Sequence, residues 1–195
     1  MDSADTTAPV RAVVGLGNPG ERYRETRHNL GFRVVEELAR RRGVAVDRLE
    51  CDALVGRLRE GDDELLLVEP QTYMNRSGYA LRCLRERHGL EPERCLVVYD
   101  EVQLPLGRLR LRPGGSPAGH RGMESVIGEL QDDRVPRLRL GIAPEEPPDD
   151  LVEYVLSPFE GDEPEDVEQM IARAADACEA WLGEGVEAAM NRYNG

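Results

Sequence analysis

Val13-Val14-Gly15-Leu16-Gly17-Asn18-Pro19-Gly20-Glu21-Arg22-Tyr23-Arg24-Glu25-Thr26-Arg27-His28-Asn29-Leu30-Gly31 is the stretch that decides how the chain is read. A short apolar run, Ala12 to Val14, stops at Gly15, Gly17, Pro19 and Gly20, the pattern of a buried strand emptying into a turn. Polar side chains follow: Asn18, Tyr23, Thr26, Arg27, His28 and Asn29. Leu30, Phe32, Val34, Val35 and Leu38 then begin a helical period. Strand, polar loop and helix in that order is the unit of an open α/β sheet, whose ligands bind at the carboxyl ends of its strands.

The spacing of Gly15, Gly17 and Gly20 matches a dinucleotide-binding fingerprint, but the surroundings do not. That motif needs its third glycine in the opening turn of a helix, with backbone N–H groups aimed at a pyrophosphate. Pro19 removes one such donor, and no apolar period follows until Leu30. Nor does an acid close a second strand about 20 residues on, since Glu36 and Glu37 fall within the expected helix.

Outward from this stretch the elements alternate. A helix is expected over Leu30 to Arg42, then strands over Ala53 to Leu58 and Leu65 to Glu69 about a turn at Glu60 to Glu64. Asn75 or Ser77 is expected to cap a helix running to about His88, closed by Gly89. Cys95 to Tyr99 reads as an apolar strand ending at Asp100. Arg108-Leu109-Arg110-Leu111-Arg112 alternates with period two, as a half-buried strand does, and sets three guanidinium groups on one face. A glycine-rich loop, a helix from about Gly119 to Leu130 and a strand over Arg137 to Ile142 follow. Pro144 to Pro148 reads as a linker and Asp162 to Leu182 as an acidic amphipathic helix with a solvated surface. The expected fold is a single three-layer αβα domain over residues 10–195, with a twisted, mostly parallel mixed sheet. Asn18, the segment Tyr73 to Asn75 and Asp100 would then meet at one edge of it.

A chain of 195 residues suits one domain with a sizeable core. Residues 1–9 are polar and expected to be disordered, without the basic and apolar parts of a secretory signal. With no run long enough to span a membrane, the expectation is a cytoplasmic protein. Cys51, Cys83, Cys95 and Cys178 are scattered, with no paired spacing that suggests zinc or redox chemistry; they read as reduced thiols, and no metal or cofactor is expected. The net charge is −13, yet residues 144–195 alone carry 15 acids against Arg173 and Arg192, so residues 1–143 are balanced. All 25 basic residues are arginine. That bias, with an acidic exterior, also fits a high-salt cytoplasm.

Five ordered blocks carry a family resemblance. Gly15 to Gly20 with Tyr23 and Thr26-Arg27-His28-Asn29-Leu30-Gly31 is similar to the signature of bacterial-type peptidyl-tRNA hydrolases. Pro70 to Gly78, Asp100 to Gly107, Gly114 to Gly122, and Arg137 to Ile142 with Tyr154 to Phe159 continue it, from Ala12 to about Trp181. The resemblance implies the same three-layer arrangement and hydrolysis of the ester between a peptide and the 3′ ribose of tRNA. His28 would be the general base, suited by a near-neutral imidazole, and Asp100 would orient it. Asn18 and Asn75 would hold the ester and peptide, Met74 would line the apolar part of the cleft, and Tyr23 would pack beside the terminal adenosine or ribose. Arg121 stands where the family usually carries Asn, as a candidate substrate contact of longer, cationic reach. Asn29, next to the base, is a candidate either to support it or to touch the RNA, and His120 either to hydrogen-bond within its loop or to touch substrate. Arg108, Arg110, Arg112, Arg137 and Arg139 would contact acceptor-stem and 5′-phosphate oxygens. The helix start near Gly119 could add backbone donors for an anion. The partner implied is peptidyl-tRNA, not DNA or a membrane, met by a monomer. Arg121 and the acidic tail leave open a second class, a catalytically weakened relative kept as an RNA- or protein-binding module.

Overall fold

The computed structural model describes residues 9–143, 146, 148–161 and 163–194. The expected disordered start lies outside them except for Pro9, as does part of the Pro144 to Pro148 linker. Seven strands form one mixed sheet: β1 (Val10–Gly15), β2 (Arg48–Glu50), β3 (Ala53–Glu60), β4 (Asp63–Pro70), β5 (Cys95–Pro105), β6 (Leu109–Arg112) and β7 (Arg137–Ala143). Their order is β2-β3-β4-β1-β5-β7-β6. The centre, β4-β1-β5-β7, is parallel, and the two flanks are antiparallel.

Among the described residues six α-helices flank the sheet: α1 (Leu30–Arg42), α2 (Ser77–His88), α3 (Arg121–Leu130), α4 (Leu151–Val155), α5 (Glu163–Glu184) and α6 (Val186–Tyr193). The central strands are apolar on both faces because both are covered. Val13, Leu96 and Val98 face a core shared with α1, α5 and α6. Ala12, Val14, Val97 and Tyr99 face one shared with α2 and α3. Gly43 and Gly89, both left-handed, end α1 and α2 where the alternation predicts.

Several expectations are corrected. Neither Asn75 nor Ser77 caps α2: a 3₁₀ turn, Met74–Arg76, leads into it, and the Ser77 hydroxyl donates to the Met74 carbonyl at 3.0 Å. Asp100 lies inside β5, which runs on to Pro105 through an irregularity beyond Glu101. The acidic helix is more than a solvated surface. α5 buries Val167, Met170, Ile171, Ala174, Cys178 and Trp181, and its acids pair with arginines of α1, as in Arg41–Asp176 at 2.7 Å.

The cysteines are not all reduced. Cys51 and Cys83 form a disulfide, their Cα atoms 5.5 Å apart. Cys51 sits in the turn between β2 and β3, which the antiparallel flank brings against α2, a proximity that spacing along the chain does not reveal. Cys95 and Cys178 are free, and burial pushes both thiols up, Cys95 to about 12. No helix among the described residues is long and apolar enough to cross a membrane.

Candidate active site

Two glycines bring the expected base to its partner. A Cβ on Gly15 would lie 2.1 Å from the Gly31 carbonyl oxygen, and one on Gly31 would lie 2.4 Å from both the Leu16 nitrogen and the Val98 oxygen. Only without side chains can the start of α1 rest on the ends of β1 and β5. The 3₁₀ turn Arg27–Asn29 just before it then sits beside Asp100. His28 Nδ1 lies 2.8 and 2.9 Å from the two carboxylate oxygens of Asp100. A carboxylate only accepts, so Nδ1 carries the proton and Nε2 is left with a lone pair.

Asp100 is 1 % exposed and has a second imidazole partner, His120 Nε2, at 3.1 Å. His120 caps α3, with the Met123 N–H donating to its Nδ1 at 3.2 Å. Since Nδ1 accepts, the proton is on Nε2, and His120 donates it to Asp100. Burial alone would raise the carboxyl, but the His28 charge and the His120 and His28 hydrogen bonds outweigh it and hold Asp100 well below the usual carboxylate range. Both ring nitrogens of His120 are therefore engaged. It lines the cavity but acts on Asp100, a role the sequence does not reveal, since it depends on the helix starting at Arg121 rather than Gly119. The Met123 N–H, part of the helix start expected to hold an anion, is capped by the same ring.

Asn18 and Asn29 form a brace. The Asn18 N–H donates to Asn29 Oδ1 and Asn29 Nδ2 donates to the Asn18 carbonyl, each at 2.9 Å. Asn29 is thus a buried support of the loop beside the base, the first of its two expected roles. The Met74 N–H donates to Asn18 Oδ1 at 2.9 Å, which leaves the Asn18 NH₂ as the donor available to a ligand.

These groups meet in a cavity of about 420 Å³. Asn18, His28, Met74, Asn75, Asp100, His120 and Arg121 line it, and Leu151, Val152, Val155 and Leu156, from α4 and its end, form an apolar wall. The mix of apolar wall and convergent polar groups is that of a ligand site. Arg121 is exposed at the first residue of α3, and its guanidinium has no partner among the described residues. Tyr23 is not among the lining residues; Arg22 stacks on its ring and bonds its hydroxyl. The periodicity of the sequence gives no sign of α4. Five residues are too few for a helical period to show, although Asp150, which caps it, is a usable signal.

A second cavity of about 300 Å³ shares Asn18 and adds Asn29, Phe32, Glu36, Glu69 and Gln71. Glu69 is 6 % exposed, and its Oε1 has no hydrogen-bond partner among the described residues. Burial, with the nearby Glu36 charge, pushes its carboxyl up to about 8.

The five arginines expected at phosphates separate. Arg110 and Arg112 are exposed on the face of edge strand β6 opposite the buried Leu109 and Leu111, and Arg108 is exposed just before it. Arg139 lies opposite Arg110 and bonds Glu101 at 3.3 Å. Arg137 is corrected: it is wholly buried. Its guanidinium donates to the carbonyls of Val135, Ser116 and Asp133 at 3.1, 2.9 and 3.0 Å, stapling the loops on either side of α3. His28, Asp100 and His120 also bring three atoms of metal-ligating type within 4.8 Å of one another. Those donors are already bonded through Asp100, and the second nitrogen of His120 holds the Met123 N–H.

Comparison with known proteins gives a consistent result. The sequence model of the Peptidyl-tRNA hydrolase family matches residues 12–195. The peptidyl-tRNA hydrolase of Syntrophomonas wolfei subsp. wolfei is 44 % identical over 185 residues, covering 95 % of this chain and all of that protein. That of Chloroflexus aggregans is 48 % identical over 187 residues, covering 93 % and 97 %. Among solved structures, the crystal structure of peptidyl-tRNA hydrolase from Acinetobacter baumannii superposes with a TM-score of 0.88 at 31 % identity, covering 96 % of each chain.

Proposed function

This chain belongs to the peptidyl-tRNA hydrolase family, enzymes that hydrolyse an ester bond, and from that premise we propose how its own residues perform the reaction. His28 Nε2 takes a proton from a water in the cavity as the water oxygen attacks the ester carbonyl carbon. The imidazolium that forms is stabilised by Asp100, which also fixes the tautomer that makes Nε2 basic. The Asn18 NH₂, the Asn75 amide and the Arg121 guanidinium are donors for the oxyanion and the first peptide unit. On collapse the bond to the ribose 3′ oxygen breaks, His28 returns its proton to that oxygen, and free tRNA and a peptide carboxylate leave. No metal enters this scheme, and the enzyme acts as a cytoplasmic monomer.

The observation that carries the reading is the buried Asp100 receiving both imidazoles, which leaves one ring nitrogen, His28 Nε2, with an unengaged lone pair in a cavity that Asn18 also lines. The alternating arginines of β6, with Arg139, supply the phosphate contacts that hold the acceptor stem in register. Release of tRNA from an N-acetylated aminoacyl-tRNA tests it. His28→Ala should lower kcat by about 10² to 10⁴, the usual worth of general acid–base catalysis. Equal rates for the two proteins would remove the base from His28. Dialysis against a chelator should leave the rate unchanged, and loss of activity restored by a divalent cation would overturn the metal-free scheme.

A further inference from the structure

The turn carrying His28 is held from two sides. On the cavity side, His28 meets Asp100 and Asn29 clasps Asn18. On the other side Arg27, the residue before the base, reaches into the chain that leaves α4. It is 6 % exposed. Its Nη1 donates to the Ser157 hydroxyl at 2.7 Å and the Pro158 carbonyl at 2.6 Å, and its Nη2 donates to Glu163 Oε2 at 2.8 Å. Its guanidinium carbon lies 4.3 Å from the centre of the Tyr154 ring and 4.9 Å from that of Phe159. The backbone joins the same partners: the Arg27 N–H donates to the Ser157 carbonyl at 3.1 Å, and Thr26 bridges to Pro158.

The segment so gripped is continuous with the apolar wall of the cavity. Val155 and Leu156 line the cleft two and one residues before Ser157, and Tyr154 between them and Val152 is tied to β7 by a 2.6 Å bond from its hydroxyl to the Ile142 carbonyl. One buried side chain therefore joins the base to the wall facing it. Only arginine offers both a planar fork for several acceptors and flat faces for two rings, so the site is not served by a point charge.

We infer that Arg27 is a positioning residue that sets where His28 Nε2 stands relative to the apolar wall, making water activation depend on the docked state of the segment from α4 to Glu163. This rests on His28 being the base. Arg27 itself touches no reacting atom. Its distinction from a purely structural pin lies in the rate constant: a pin affects how much protein is folded, whereas a positioning residue affects how fast the folded protein turns over.

The test compares Arg27→Met, Arg27→Lys and Arg41→Met in the full chain, using steady-state release of tRNA from an N-acetylated aminoacyl-tRNA and thermal unfolding of each protein. Arg41 docks α1 on α5 through Asp176 and the Ala172 carbonyl, away from the cavity, and serves as the structural control. Arg27→Met should lower kcat by about 10²-fold, the scale of loss from a displaced catalytic group, with Arg27→Lys intermediate. KM should change by no more than about threefold, because the groups that touch substrate are intact. Arg41→Met should keep kcat within about twofold of wild type even where its midpoint falls as far. A folded Arg27→Met with wild-type kcat, or an equal loss of kcat in Arg41→Met, overturns the inference. Should Arg27→Met fail to fold, Glu163→Gln replaces it: a lowered kcat supports the coupling and an unchanged one refutes it. His28→Ala, measured alongside, keeps the two readings apart. If it is as active as wild type the base assignment is lost, whereas an inactive His28→Ala with a fully active Arg27→Met loses only the coupling.

Discussion

At Asp100 a carboxylate buried between two imidazoles is held ionised well below the usual carboxylate range. Its folded-state affinity for protons is depressed, so the stability it contributes is complete above about pH 4 and is withdrawn only as pH falls below that. Asp100→Asn should cost about 10⁴ in kcat through loss of the correct tautomer, and the acid limb of the wild-type rate should belong to another group. Glu69 has the opposite sign. Its folded-state carboxyl is raised to about 8, so stability falls as pH rises from about 4 to 8. Glu69→Gln should flatten unfolding free energy over that window, removing a decline of a few kcal/mol; a curve parallel to wild type would contradict it. Arg121→Ala should lower kcat by about 10²-fold if the guanidinium replaces the family's amide donor, while Arg121→Asn restores most of it. His28, Asp100 and Asn18 are legible because ordered motifs carry them. The burial of Arg137 and the second partner of Asp100 are not. Alternation says which face a side chain takes, but not whether a loop later folds over that face.

At the scale of elements, β6 is the edge strand whose period of two puts Leu109 and Leu111 in the core and Arg110 and Arg112 in solvent. Replacing Arg110 and Arg112 together by Gln should raise KM with kcat little changed. It should also reduce the slope of log affinity against log salt by about 0.7 to 0.9 for each phosphate that is no longer neutralised. An unchanged slope would mean that RNA lies elsewhere. β1, β3, β4, β6, β7 and α1 to α3 are legible within a few residues because their apolar periods are long, whereas β2, three residues of which only Glu50 is buried, carries no period to read. β5 reads short because its polar end, Asp100 to Pro105, continues the ladder with β7 past the point where its apolar run stops. α4, the wall of the cavity, is hidden by brevity, and the packing of α5 is hidden because its many acids mask a stripe of small apolar residues.

For the whole molecule, the disulfide ties the antiparallel flank to α2 across a separation of 32 residues. Closing a loop of that size is worth about 3 to 4 kcal/mol in the chain-entropy model. Cys83→Ala should therefore lower the unfolding midpoint by about 10 °C, and reductant should do the same to wild type but nothing to the variant. The three-layer order and the meeting of Asn18, the segment Tyr73 to Asn75 and Asp100 in one cavity are foreseeable from where the apolar runs stop. The pairing of cysteines is not, because it depends on how the flank folds back. The close approach of Gly15 to Gly31 has a final consequence. Under the proposed mechanism catalysis hangs on two missing methyl groups: Gly31→Ala, the mildest of exchanges and one that alters no reactive side chain, would lift α1 like a wedge and part the imidazole from its carboxylate.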